Sequence, residues 1–182
     1  MDRDVVFIAM FAALIAALGF IPQLALGFGV PITAQSLGVM LAGTVLGSKR
    51  GALAVALFLL LVLVGLPLLS GGRGGIGLLA TPSVGFLLAW PVAAFVTGLI
   101  VERVRTVPMV LIATVASIIG GILLLYTFGI IGMSMNLGKS IPEAAKLAIA
   151  FIPGDVLKAV IAGLITAALL KARPQSVLSR SA

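Results

Sequence analysis

Long apolar runs, separated by short breaks, occupy this sequence from one end to the other. Apolar residues make up 62% of the chain and charged residues only 9%. A soluble domain carries about 25% charged residues, because water must solvate its outside. A chain with so few polar groups cannot cover itself with them, so its outside must face hydrocarbon. The sequence therefore predicts an integral membrane protein and excludes a soluble domain.

Six of the runs can cross a bilayer as helices, since a helix rises about 1.5 Å per residue and the hydrocarbon core is about 30 Å thick. We predict an all-α membrane protein, a six-transmembrane-helix bundle in which residues 1–182 form a single integral membrane domain. The predicted spans are Val5–Ile21, Ala34–Gly47, Gly51–Leu66, Ser83–Val101, Val107–Ile131, and a last one that follows Pro153-Gly154 and ends near Leu170.

A short helix is predicted before the last span. Ser140 and Glu143 have the spacing of a capping box, and Pro142 falls in the first turn, where proline is tolerated. This helix would run to about Phe151 and lie at the membrane interface.

The basic residues are distributed unevenly between the two sides of such a bundle. The side with both termini would hold eight of them, namely Arg3, Lys49, Arg50, Arg103, Arg105, Lys171, Arg173 and Arg180. The other side would hold Arg73, Lys139, Lys146 and Lys158. Because basic loops stay in the cytoplasm, we expect both termini to be cytoplasmic, in a bacterial-type inner or plasma membrane. The same scatter argues against nucleic-acid binding despite the net charge of +7.

The chain contains no cysteine and no histidine. Thiol nucleophiles, imidazole acid–base catalysis and the usual zinc sites are thereby excluded. We expect no enzymatic activity, no bound metal and no resident cofactor.

Asp155 and Lys158 are the most informative pair, because they share one face at the start of the last span. Ionisable groups within a span are costly and usually mark a ligand or ion path. The Pro153-Gly154 step before them suggests a broken helix, whose free N–H groups would favour an anion. The alternative is an ion pair near a helix end that reaches water and has no further role.

Further polar candidates come from the connections on the same side. Arg73 stands among five glycines in the run 70–77, whose backbone could approach a ligand closely. Thr33 and Gln35 begin the second span, although a helix cap is the commoner role for such residues. Asn136 is a weaker candidate, for which solvent exposure is the ordinary outcome. Together these groups would suit a small organic anion with polar ends.

The first span carries alanines four residues apart, Ala9, Ala13 and Ala17. Small residues at this spacing let another helix approach closely. Spacing alone does not distinguish packing inside the bundle from contact with a partner.

Four motifs in register resemble a known family. They are Pro31-x-Thr33-x-Gln35, Gly65-Leu66-Pro67 followed by the glycine run, Pro82-Ser83-x-Gly85-Phe86, and Pro153-Gly154-Asp155-x-x-Lys158. In this order they look like the biotin-specific S component (BioY family) of energy-coupling factor (ECF) transporters.

The resemblance implies a six-helix subunit that binds biotin, the transported ligand, on the extracytoplasmic side. It implies ligand contacts from Asp155 and Lys158 and, with a more ambiguous alignment, from Arg73. It also implies two kinds of partner, a transmembrane T component and a pair of ABC-type ATPases, with Ala9 and Ala13 on the face that docks the T component.

Three other functions remain open from the residues. An S component for another vitamin, such as riboflavin or thiamine, is the nearest, although one Tyr and one Trp offer little for aromatic stacking. A stand-alone secondary transporter would use Asp155 as a proton-linked carboxylate, but Lys158 would keep it ionised. A membrane enzyme is disfavoured by the missing histidine.

Overall fold

The computed structural model describes residues 2–180, and these residues form a bundle of helices. The helices are α1 (Asp2–Leu18), α2 (Gln35–Leu46), α3 (Ser48–Leu63), α4 (Val84–Arg103), α5 (Met109–Leu137), α6 (Ile141–Ala148) and α7 (Ile152–Ala172). Within residues 2–180 there is no β-strand, only two isolated bridges in loops. The prediction of an all-α bundle of six apolar helices with one short extra helix is confirmed.

The outward faces of the long helices are apolar. Large side chains such as Leu60, Leu123 and Leu157 are each about 60% exposed (59%, 61% and 61%), with no polar cover. Three helical runs are both long and apolar enough to cross a membrane, Val84–Arg103, Met109–Leu137 and Ile141–Ala172. Exposed leucines in such number are favourable in contact with lipid and unfavourable in contact with water, so the bundle's outer surface fits a bilayer.

Close helix packing depends on glycine at several contacts. A Cβ atom added to Gly132 of α5 would lie 2.6 Å from the backbone N of Gly85 in α4. A Cβ added to Gly51 of α3 would lie 2.6 Å from the carbonyl O of Ala42 in α2. The hydrophobic effect does not drive helices together in lipid. The close approach of two helix backbones at these glycines instead provides van der Waals contacts that stabilise a membrane bundle.

The two ends of the bundle differ. The first end, called the terminal end, contains the start of α1, the turn at Gly47, the α4–α5 connection and residues 173–180. There the Arg3 guanidinium donates to the Gln175 carbonyl, and the Ser179 amide donates to the Val45 carbonyl at 3.0 Å. The other end, called the loop end, contains the connections 19–34, 64–83 and 138–140. Both described ends of the chain therefore lie on one side of the bundle, as an even number of spans requires.

The start of the last helix differs from the prediction. α7 begins at Ile152, so that Pro153 and Gly154 lie inside its first turn, and one 3-10 turn (Ile149–Phe151) joins it to α6. Proline is tolerated there because the first N–H groups of a helix have no intrahelical partner, so the Pro-Gly step does not break the helix. The capping box does form, with the Ser140 amide donating to Glu143 Oε2 at 2.9 Å.

The fifth helix also differs from the prediction. It continues to Leu137 instead of ending near Ile131, and the left-handed Gly138 terminates it. Its middle, Ile119–Leu124, is a π-helical turn that the uniformly apolar sequence did not indicate.

Candidate ligand-binding site

A cavity opens at the loop end, between α2, α4, α5, α7 and the two long connections. Its empty space is about 570 Å³, the open space at its mouth included. Its lining residues are Val30, Pro31, Ile32, Thr33, Gln35, Ser36, Leu69, Arg73, Ser83, Phe86, Leu87, Trp90, Leu125, Phe151, Asp155 and Lys158.

Asp155 and Lys158 form a buried ion pair in the wall of this cavity. Lys158 Nζ lies 2.9 Å from Asp155 Oδ1, and the two side chains are 14% and 9% exposed. The spacing of three residues on α7 places both on one face. The pair is therefore not an exposed one that merely reaches water, which was the alternative from the sequence.

The hydroxyls of Ser36 and Tyr126 complete the bonding of Asp155. Ser36 Oγ donates to Asp155 Oδ1 at 3.2 Å and accepts from Lys158 Nζ at 2.9 Å. Tyr126 Oη donates to the other carboxylate oxygen, Oδ2, at 2.8 Å. Three donors thus compensate the burial of the carboxylate, and the pair as a unit carries no net charge. One N–H of Lys158 has no partner in the described part of the chain and is available to a ligand.

Arg73 reaches the cavity through a tight turn. The Leu69 amide donates to the Arg73 carbonyl at 3.0 Å, and the turn between them uses Gly71 and Gly72 with φ of +79° and +70°. Only glycine adopts such angles without steric cost, so the glycine run is what brings Arg73 back over the cavity. Arg73 Nε donates to the Ser70 carbonyl at 3.2 Å.

The charge of Arg73 has no acidic partner among the side chains of residues 3–180. Burial lowers the pKa of its guanidinium below the ordinary value, but an arginine remains protonated in proteins. The cavity therefore contains one uncompensated positive charge, at Arg73, in addition to the neutral pair at Asp155 and Lys158.

Gln35 lies in the cavity wall with its own hydrogen bonds satisfied. Its Nε2 donates to the carbonyls of Ile15 at 3.1 Å and Leu68 at 3.0 Å, and its Oε1 accepts from the Ser70 amide at 3.0 Å. These bonds use both N–H groups of the amide, so Gln35 ties α1, α2 and the start of the Arg73 turn together. Thr33 lines the cavity without capping α2, whose first turn has no side-chain cap.

Aromatic rings form the apolar part of the wall. Phe86 and Phe151 meet edge to face with ring centroids 5.9 Å apart, and Phe151 meets Phe28 of the first connection at the same distance. Trp90 and Leu125 line the cavity beside them. Such a wall binds hydrocarbon and leaves orientation to the few polar groups.

The cavity brings together five of the six predicted ligand residues: Thr33, Gln35, Arg73, Asp155 and Lys158. Asn136 is not among its lining residues and is exposed near the end of α5, so the structure does not bring it to this site. Ala9, Ala13 and Ala17 are all exposed on α1, whereas Ala12 is buried.

Sequence reasoning missed Ser36, Tyr126 and the aromatic wall. A lone hydroxyl in an apolar run gives no signal of its own. Ser36 follows Gln35 directly, and only the three-dimensional packing of α2 on α7 makes it a partner of Lys158.

This arrangement offers a small ligand two chemically different polar groups, the neutral ion pair and Arg73, within a wall that also contains apolar side chains. A neutral group that both donates and accepts hydrogen bonds suits Asp155 and Lys158. An anionic group suits Arg73, because the paired N–H donors of its guanidinium match the two oxygens of a carboxylate.

Comparison with known proteins agrees with this geometry. A family model for the BioY family matches residues 2–175. The chain is 53% identical to a biotin transporter BioY of Rhodobacter capsulatus, over 99% of this chain and 100% of that protein. It is 52% identical to a biotin transporter BioY of Rhizobium etli, over 94% and 95%.

A solved structure matches over nearly the whole fold. It is the S-component for biotin from an ECF-type ABC transporter, with a TM-score of 0.90 and 31% identity, and the match covers 97% of this chain and 96% of that one. Family model, relatives and fold agree, and the chain belongs to the BioY family.

Proposed function

We propose that this chain is the substrate-binding S subunit of an ECF-type ABC transporter and that it binds biotin for uptake. The observation that carries the proposal is that one cavity contains two chemically different polar groups. A neutral ion pair, Asp155 with Lys158, serves one part of a ligand, and the uncompensated Arg73 serves another.

Biotin has the matching chemistry. Its ureido group offers two N–H donors and one carbonyl oxygen, and its valeryl chain ends in a carboxylate. In the proposed pose one ureido N–H donates to Asp155 Oδ2, which accepts only from Tyr126, and the unused N–H of Lys158 donates to the ureido oxygen. Arg73 binds the carboxylate. Lys158 is the poorer partner for a carboxylate because Asp155 already neutralises it.

The aromatic wall suits the rest of the molecule. The fused rings and the chain of biotin are apolar, and Phe86, Trp90 and Phe151 offer an apolar surface in the same cavity. Thr33 and Gln35 remain proposed contacts from the α2 side of the cavity, with Gln35 also holding the Arg73 turn.

A ligand screen tests this function directly. Purified protein in detergent would be titrated by calorimetry with biotin, riboflavin and thiamine in turn. We expect saturable one-to-one binding of biotin and no binding of the other two vitamins. Binding of riboflavin or thiamine in preference to biotin would assign the chain to another vitamin.

The transporter would need other subunits for its energy. We propose that ATP is hydrolysed by separate ABC-type ATPases and that a transmembrane T component joins them to this chain. The exposed face of α1 with Ala9, Ala13 and Ala17 is the proposed docking surface, because another helix can approach small residues closely.

The proposed orientation places the cavity outside the cell. The eight basic residues assigned to the terminal side lie in α1, in the first turn of α3, at and just after the end of α4, and from Lys171 onward, so the positive-inside rule favours a cytoplasmic terminal end. The loop end then faces the extracytoplasmic side, where biotin is captured.

A further inference from the structure

Tyr126 is a buried polar residue that neither the motifs nor the proposed ligand contacts include. Its hydroxyl is bonded to Asp155 at the rear of the site. We propose that Tyr126 is a positioning residue, which holds the Asp155 carboxylate in the orientation that receives the ligand. This inference rests on the proposed function, since it concerns the same site.

The hydrogen bonds to Asp155 divide between its two oxygens. Ser36 and Lys158 both contact Oδ1, whereas Tyr126 alone contacts Oδ2 at 2.8 Å. A carboxylate held at one oxygen can still turn about its Cβ–Cγ bond. The bond from Tyr126 to the second oxygen removes that freedom and fixes the plane of the group. A ligand then meets an acceptor that is already oriented, which lowers the cost of ordering it on binding.

The ring of Tyr126 is held independently of its hydroxyl. It packs edge to face on Phe86 with centroids 6.0 Å apart and on Phe151 with centroids 6.5 Å apart. Tyr126 is 8% exposed, and phenylalanine would fill the same space. The packing role and the hydroxyl role can therefore be separated by one substitution.

The π-helical turn of α5 sets the direction in which Tyr126 points. The turn covers Ile119–Leu124 and ends directly before Leu125 and Tyr126, one of which lines the cavity while the other bonds Asp155. A π turn contains one residue more than the α-turn it replaces, so it rotates the following helix by roughly 100°. An uninterrupted α-helix would turn Tyr126 away from α7.

Packing keeps the wide turn in place. Gly121 faces Met40 of α2, and a Cβ atom added there would lie 2.7 Å from the Met40 Cε. Gly120 faces Thr97 of α4 in the same way. The widened backbone thus fits between α2 and α4, consistent with the frequent use of π turns at functional sites.

The first test is the affinity of Tyr126→Phe for biotin, measured by calorimetry in detergent. The variant must order the carboxylate when the ligand binds, so we expect affinity to fall roughly 10-fold. Thr127→Val is the matched control, because it removes the neighbouring hydroxyl, which is exposed and bonds only Leu123 O within its own helix. Its affinity should equal that of the wild type. An affinity of Tyr126→Phe within threefold of wild type overturns the proposal.

The second readout separates positioning from packing. Tyr126 is the single tyrosine of the chain, so a ¹³C label at the phenol carbon of tyrosine gives one NMR signal. We expect the chemical shift of that signal to differ between Asp155→Asn and the wild type. In the wild type we also expect it to change when biotin binds. A signal that stays unchanged in Asp155→Asn overturns the proposal even where Tyr126→Phe binds weakly. A wild-type chain that binds no biotin overturns the proposed function instead.

Discussion

At the scale of single residues, the charged pair in α7 accounts for most of the chemistry of the site. Two buried charges within a membrane bundle cost several kcal/mol each unless they are paired and hydrogen-bonded. Asp155 has its charge matched by Lys158 and accepts hydrogen bonds from two hydroxyls, which leaves one acceptor site on Oδ2.

Replacing Asp155 with asparagine should abolish tight binding of biotin. The change removes the acceptor charge and leaves Lys158 buried without its counter-ion. The loss of one partner from a buried charge pair costs about 2 to 5 kcal/mol, which corresponds to roughly 30- to 4,000-fold in affinity. Calorimetric titration of the purified variant measures this.

A surface carboxylate provides the control for that variant. Asp4 pairs with Arg50 at 2.9 Å, and their side chains are 45% and 36% exposed, so water screens the pair. Asp4→Asn should bind biotin as the wild type does. Equal affinities in both variants and the wild type would show that Asp155 is not a ligand contact.

The sequence indicated the ionisable residues of the site most clearly. Asp155, Lys158 and Arg73 were predictable because charged residues are costly in so apolar a chain and usually mark a ligand or ion path. Ser36 and Tyr126 were not predictable. Placing a single hydroxyl among apolar residues costs little free energy, so it does not indicate a binding site. Gln35 was identified as polar, but its bonds to Ile15 and Leu68 depend on tertiary packing that no local pattern encodes.

At the scale of elements, helix positions were predictable and helix irregularities were not. The apolar runs predicted the positions of all six spans, and most of the predicted ends lie within a few residues of the observed helix ends. The Pro153-Gly154 step suggests a broken helix from sequence alone, but a helix accommodates proline in its first turn. The π turn at Ile119–Leu124 consists of apolar residues only, so its wider backbone leaves no periodic signal.

The exposed alanine face of α1 yields a prediction about assembly. Ala13→Leu should weaken association with the T component at least 10-fold, because a larger side chain holds the partner helix away. Biotin affinity of the isolated variant should not change. Co-purification with the T component and ATPases measures the association.

The matched control for α1 lies on α3. Ala56 is also exposed on its helix, so Ala56→Leu makes the same change on a different face. It should leave the association intact. An Ala13→Leu variant that assembles as well as Ala56→Leu would show that the partner docks elsewhere.

At the scale of the whole molecule, the two ends of the bundle have different tasks. The loop end contains the cavity and the long glycine-rich connections, whereas the terminal end is closed by the C-terminal segment. There Val177, Leu178 and Ser179 are buried, and Arg180 Nη2 donates to the Val104 carbonyl at 2.9 Å. Ligand access is therefore from the loop end.

The orientation of the molecule can be tested by labelling single cysteines. The natural chain has no cysteine, so Lys139→Cys at the loop end and Arg173→Cys at the terminal end each introduce a single thiol, and both positions are exposed. A membrane-impermeant maleimide should label Lys139→Cys in intact cells, and Arg173→Cys only after permeabilisation. The reverse pattern would place the termini outside the cell.

The central claim is that the cavity binds two parts of biotin at separate positions. One comparison of ligands and variants tests this claim most directly. Biotin and its uncharged amide would be titrated into the wild type, Arg73→Gln and Asp155→Asn. A charge-assisted hydrogen bond is worth about 1.5 to 3 kcal/mol, so the wild type should prefer biotin by roughly 10-fold or more. Arg73→Gln should bind both ligands equally, whereas Asp155→Asn should lose affinity for both by a similar factor. An Arg73→Gln variant that keeps the full preference for biotin would contradict the account.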